Sequence, residues 1–276
     1  QHLAIEATLL EGKTRYWPPM DPHHQLSEAA ETWIRNHKLD VNVHDLLPTK
    51  WEKLGQLVLF PYELGQTKAW KEVAQHPMAE ALWERMAHAL KASSLGLQAP
   101  IANDTYRSAQ VKMLTGLPDV RFSDHGITYA FDASKVMFSS GNITERRRIG
   151  AMNMQGEVVV DAYAGVGYYT FPMLVNAGAA HVHACEINPA SLAGLKRGVE
   201  ANGLGERITV HAGDNARSLE GLFETADRCH LGLLPSSEPV WEACLLALKP
   251  TGGVLHIHMN VEEEKIASWT SATVDY

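Results

Sequence analysis

The sequence predicts an α/β fold: a doubly wound parallel sheet in its C-terminal half, with a smaller α+β part ahead of it. Three observations predict it. From Gly156 onward, apolar strand-like runs alternate strictly with helical patterns. The apolar run Val158–Val160 passes directly into Asp161-Ala162-Tyr163-Ala164-Gly165-Val166-Gly167. A strand ending in a short glycine turn before a helix is how such a sheet offers its carboxyl end to a ligand. Ahead of residue 150 the alternation is absent, and short strands and helices follow in mixed order.

Taken in order, residues 1–44 form an extension in which Trp17-Pro18-Pro19 precede a helical pattern over Glu28–His37. His2, His23, His24 and His44 read as surface residues, and the extension carries no recognisable chemistry. Residues 45–150 make up the α+β part. Gly55–Pro61 reads as a strand. Ala69–Lys91 is one long amphipathic helical stretch, with Trp83, Met86, Ala87 and Leu90 on one side. Strands follow at Ser108–Leu114, Val120–Phe122 and Ile127–Asp132, the last two joined by a turn at Asp124-His125-Gly126. Phe138–Ile149 then enters a helix, with Thr144 as its cap. Residues 151–276 carry strands at 157–162, 182–186, 208–211, 230–234 and 253–258, with helices starting near Tyr168, Pro189, Ser218 and Val240. Asn188 caps the second of these helices, with Pro189 in its first turn and Gly203 as its stop. Met259–Tyr276 leaves room for one helix and little more.

Composition narrows the function. The 276 residues are 45% hydrophobic and 20% charged, the balance of a globular protein with two modest domains. No apolar run reaches the ~18 residues of a membrane span. Cys185, Cys229 and Cys244 are far apart in sequence and lack C-x-x-C spacing, which fits a reducing, cytoplasmic setting without a disulfide framework or zinc knuckle. His256 and His258 alternate on a strand and face one side; without a third ligand they read as strand surface, and no metal is expected. A net charge of −8 argues against a general nucleic-acid binder. Yet residues 105–150 gather Arg107, Lys112, Arg121, Lys135 and Arg146 to Arg148 against Asp119, Asp124, Asp132 and Glu145. A locally basic segment of this kind can track a phosphate backbone, and an ordinary solvated helix start accounts for it equally well.

The glycine turn limits the ligand. Gly165 and Gly167 could serve only a tight turn. The dinucleotide pattern G-x-G-x-x-G needs a third glycine where this chain has Thr170. It also seats a pyrophosphate, and Asp161 puts a carboxylate where phosphates are repelled. An acidic residue there suits a cationic amino acid, such as the methionyl part of S-adenosylmethionine. The strand His181–Cys185 ends in Glu186, and a carboxylate at that strand end accepts hydrogen bonds from both ribose hydroxyls. Strand Ile208–His211 leads to Gly213-Asp214-Asn215, where an Asp-Asn pair can meet an adenine edge. Alone that pair reads as a turn; third in line after a glycine turn and a ribose carboxylate, it reads as function.

Six segments together resemble the tRNA wybutosine-synthesizing protein 2 family: Phe138-Ser139-Ser140-Gly141-Asn142-Ile143-Thr144-Glu145-Arg146, the glycine turn, Glu186-Ile187-Asn188-Pro189, Gly213-Asp214-Asn215, Leu231-Gly232-Leu233-Leu234-Pro235-Ser236-Ser237-Glu238, and Gly252 to His258. The resemblance covers roughly residues 45 to 260 in order. The glycine turn is shared with all class I S-adenosylmethionine-dependent enzymes, so the Rossmann-like transferase fold of that class is implied; the first and fifth segments are more specific. Resemblance to the tRNA (guanine-N1) methyltransferase is weaker at Ser140-Gly141-Asn142 and at Leu234-Pro235-Ser236-Ser237. The family resemblance implies transfer of the 3-amino-3-carboxypropyl arm of S-adenosylmethionine to the 4-demethylwyosine base beside the anticodon of tRNA-Phe, releasing methylthioadenosine. It implies Ser139 and Arg146 at the methionyl portion, Glu186 at the ribose, Asp214 and Asn215 at the adenine side, and Asp161, Gly165 and Gly167 in the turn. Arg146 has a competing place in a tRNA-facing patch with Arg147 and Arg148. A monomer without membrane or metal is expected, and no general base is identified. Alternatives are the methyltransferase of the same fold, a catalytically silent tRNA-binding module and, more distantly, a NAD-dependent oxidoreductase.

Overall fold

The computed structural model describes residues 21–138 and 140–276. Ser139, His2 and Trp17-Pro18-Pro19 lie outside the described residues. The C-terminal half carries the expected alternation. Strands β7 (Val158–Asp161), β8 (His181–Glu186), β9 (Ile208–Ala212), β10 (Arg228–Leu231) and β11 (Val254–Ile257) form one sheet in the order β11-β10-β7-β8-β9. Every pairing in it is parallel. The order reverses at β7, which makes the carboxyl end of β7 the natural ligand crevice. Helices α5 (Thr170–Val175), α6 (Pro189–Asn202), α7 (Asn215–Glu220) and α8 (Trp241–Ala247) connect the strands, and α9 (Ile266–Val274) is the one helix expected after them. Helix α7 starts ahead of the expected Ser218 because Asp214 caps it, accepting from the Ala216 N–H at 2.9 Å.

Upstream lies a second sheet, β1-β2-β3-β4, built from Glu52–Leu54, Leu57–Pro61, Ser94–Ala99 and Gln110–Thr115. Helix α1 (Pro22–His37) packs Leu26, Ala30, Trp33 and Ile34 into the core that Val58, Phe60, Leu95 and Leu97 of this sheet line. Over residues 22–44 the expected extension is therefore part of this body. The long helical stretch divides into α2 (Lys68–Ala74) and α3 (Ala79–Ala89). Pro77 falls in the break, where it cannot supply a helical N–H, and Trp70 still stacks on Trp83 at 4.5 Å between centroids.

The hairpin β5 (Asp119–Asp124) and β6 (Ile127–Asp132) departs from the expected division at residue 150. Val120, Ile127, Tyr129 and Phe131 join the core beneath β7 and β8, together with Phe171 and Leu195. Asn202 of α6 acts as a strand neighbour: its side chain accepts from Thr128 N–H at 2.8 Å and donates to Thr128 C=O at 2.7 Å. A Cβ on Gly194 or Gly198 of α6 would collide with Phe131 and Val166 or with Phe171, so both positions demand glycine. Helix α4 (Ile143–Gly150) begins at Ile143 with Asn142 before it, which leaves Thr144 inside the helix and not at its cap. Among the described residues no helix is long and apolar enough to cross a membrane.

Candidate active site

Beyond Asp161 the chain turns through residues 162–169 before α5. Gly165 and Gly167 have φ of 57° and 96°, a region side chains avoid. A Cβ on either would also strike the ring of Tyr168 or Phe171. The turn needs both glycines for its own packing, and the same bareness leaves its main chain approachable.

Glu186 closes β8 and is half-buried. One carboxylate oxygen accepts from Gly165 N–H at 2.7 Å, the other from Asn188 N–H at 2.6 Å. The side chain thus pins the glycine turn to the start of α6, and each oxygen keeps a lone pair for a hydroxyl. Burial pushes its pKa up, against the backbone N–H groups that hold the anion. A carboxylate short of water in this way gains from two further donors.

Asp161 lies elsewhere than expected. It is fully buried, accepts from the Thr170 hydroxyl at 2.6 Å and stands 3.7 Å from Nδ1 of His230. The carboxylate expected to face a cationic ligand is enclosed behind the turn, held by the same Thr170 that breaks the dinucleotide pattern. Asp214 caps α7, and Asn215 donates to Ala162 C=O at 3.0 Å, fastening α7 to the end of β7. Both side chains have local bonds of their own.

Arg146 departs from one of its two readings, the tRNA-facing patch. Its side chain is 4% exposed; Nη2 and Nε donate to Asp124 at 3.0 and 3.3 Å, and the guanidinium lies 4.8 Å over the Phe138 ring. Burial removes it from a tRNA-facing patch, and the bonds to Asp124 tie it to the hairpin. Arg148 is exposed but spans Glu145 with two bonds of 2.7 Å. That pairing holds the Glu145 carboxyl below its usual range. Among the described residues, Arg147 is left as the exposed member of the triplet without such a tie.

Two groupings at the site are not visible in the sequence, which offers Arg107 and Asn188 singly and His256 with His258 only as an alternating pair. The loop between β3 and β4 reaches across the end of β7: Tyr106 C=O accepts from Asn188 at 3.1 Å on one side, and Arg107 donates to Leu234 C=O at 2.5 Å on the other. The second group is aromatic. The fully buried His230 of β10 packs on Tyr169 at 4.4 Å and on His258 at 4.9 Å. His256 and His258 are half-buried, not strand surface, and His256 faces Arg228 at 2.5 Å. Burial pushes the His256 pKa down to about 4. The alternation of His256 and His258 was visible in the sequence; the buried partner His230 was not. Ser237, in the segment after β10, is buried and accepts from the Trp241 indole N–H at 3.1 Å, a local role alongside any other.

Residues 121–273 match the TRM5/TYW2 methyltransferase domain family. Among curated proteins, the chain is 44% identical over 87% of its length to the tRNA wybutosine-synthesizing protein 2 homolog of Danio rerio, covering 58% of that protein. It is 42% identical over 87% of its length to the Homo sapiens homolog, covering 53% of it. The chain therefore spans about half the length of the curated relatives it matches. Among solved structures, Pyrococcus horikoshii TYW2 in complex with MeSAdo superposes with a TM-score of 0.70 at 23% identity, over 91% of this chain and 88% of that one. At that identity the likeness shows the fold alone, the α/β arrangement described above.

Proposed function

The chain belongs to the TRM5/TYW2 methyltransferase domain family, and on that premise we propose that it transfers the 3-amino-3-carboxypropyl group of S-adenosylmethionine to a ring carbon of 4-demethylwyosine, beside the anticodon of tRNA-Phe. The observation that carries this choice within the family is the 44% identity, over 87% of the chain, to a wybutosine-synthesizing protein. The chemistry of the cleft supports the donor. A half-buried carboxylate with two free lone pairs stands beside a bare glycine turn, with no phosphate-binding glycine at position 170.

When bound, S-adenosylmethionine supplies a sulfonium with three electrophilic carbons, and the carbon held in line with the nucleophile is the one that reacts. The residues of this chain do the holding. Glu186 grips the ribose, Gly165 and Gly167 admit the nucleoside close to the main chain, and Asp214 with Asn215 frames the adenine side. Ser139 is the candidate contact for the methionyl portion. Arg146 anchors α4 to the hairpin through Asp124. Exposed Arg147 offers a phosphate contact for tRNA. A monomer in the cytoplasm completes the reading.

The test is incubation with precursor tRNA and S-adenosylmethionine labelled either on the methyl or on the carboxypropyl arm. The expected result is carboxypropyl label in the RNA and accumulation of methylthioadenosine. Methyl label in the RNA, with S-adenosylhomocysteine released, would make the chain a tRNA methyltransferase. Tight binding of both partners with neither label transferred would make it a silent tRNA-binding module.

A further inference from the structure

A cleft of about 350 Å3 opens past β10 and β11, lined by Glu145, Arg148, Leu234, His256, His258 and Asn260 among others. It lies on the far side of β7 from Glu186, since β10 and β8 flank β7 on opposite sides. Tyr169, the last residue of the glycine turn, packs on one of its lining residues: its ring meets His258 at 5.2 Å. A nucleoside gripped at Glu186 and lying across the turn would point its far end toward this cleft.

Substitution at a ring carbon has a fixed balance. The new C–C bond uses a π pair of the ring, the S–C bond breaks with its pair left on sulfur, and the hydrogen on the ring carbon leaves as a proton while its C–H pair restores the ring. Some group must take that proton. Leu234 and Asn260 cannot. Arg148 is a cation. Glu145 is occupied by Arg148 and weakened as a base by it. His256 has its Nε2 against the Arg228 guanidinium. His258 remains. Its Nε2 stands 3.4 Å from Glu145 Oε1, and among the described residues its Nδ1 has no hydrogen-bond partner.

We propose that His258 accepts the ring-carbon proton through Nδ1 during carboxypropyl transfer, with Glu145 as its positioning residue; this rests on the reaction assigned above. The groups facing His258 are Glu145 and Arg148 from α4, Tyr169 from the turn, His230 from β10, Asp161 from β7 and His256 from its own strand. Burial leads in lowering its pKa, with His230 and Arg148 acting the same way, and Glu145 and Asp161 oppose them. The imidazole is thereby neutral, and able to take a proton, at neutral pH.

Single-turnover transfer of the carboxypropyl label is the measurement. His258→Ala is expected to lose ~100-fold in rate, within the usual worth of a general base, to keep its S-adenosylmethionine affinity by calorimetry, and to regain rate with added imidazole. The wild-type rate falls as pH drops through the His258 midpoint, and that acid limb is absent from the variant. Independently of activity, the His258 ring signals in NMR titrate below their ordinary value in the free protein, and lower still in Glu145→Gln. Should His258→Ala fail to fold, His258→Gln carries the same rate and pH readouts. Carboxypropyl transfer by wild type, with His258→Ala or His258→Gln equally fast and showing the same pH limb, overturns the proposal alone. Methyl transfer by wild type overturns the reaction assignment and takes this proposal with it.

Discussion

Arg146→Ala is expected to destabilise the folded chain by about 3–4 kcal/mol, the loss typical of breaking a buried ion pair from one side. The guanidinium is nearly inaccessible and leaves behind Asp124, itself 13% exposed at its side chain. It also covers the Phe138 ring, so packing is lost with charge. Urea unfolding of single and double variants checks this. Arg146→Ala combined with Asp124→Ala should be less harmful than the sum of the two, because the orphaned carboxylate goes as well. A single variant of unchanged stability that binds S-adenosylmethionine weakly would return Arg146 to the methionyl carboxylate, the role the family resemblance implies.

Glu186→Ala is expected to weaken S-adenosylmethionine binding by about 3 kcal/mol, the upper end for hydrogen bonds to a charged group. Two losses combine. The ribose hydroxyls lose their acceptor, and the N–H groups of Gly165 and Asn188 lose theirs, so the turn that supports the ligand is released too. Glu186→Gln separates the two: its amide oxygen can serve one N–H but not both hydroxyls, and its loss should be intermediate. Isothermal calorimetry on the free protein is the check, and equal affinity in wild type and Glu186→Ala would remove the ribose from this carboxylate.

The frame of the site was readable because it is encoded locally. An apolar run into Gly165 and Gly167, and another into Glu186, are short-range signals, and both strands stand where the pattern puts them. What escaped is decided by partners distant in sequence. Asp161 reads as an open carboxylate until Thr170 and His230 close over it. Arg146 reads also as one of a tRNA-facing triplet until the hairpin brings Asp124 beside it and buries it. Strand β3 (Ser94–Ala99) was passed over because Ser94, Gly96 and Ala99 are weak strand formers; pairing with β2 and β4 on both sides overrides that. The helical period runs on across Gln75–Met78, which hid the break between α2 and α3 at Pro77.

The hairpin β5–β6 has a bearing on how the C-terminal half can be excised. Its apolar face is the floor under α6, and the family match starting at residue 121 takes it in from within β5. A fragment starting at residue 151 would strand Val166, Phe171 and Leu195 without their cover and is expected to aggregate. One starting just before Asp119 keeps the cover, and should melt as a single cooperative unit in calorimetry. If the shorter fragment melts just as sharply, the hairpin is a passenger and not a foundation.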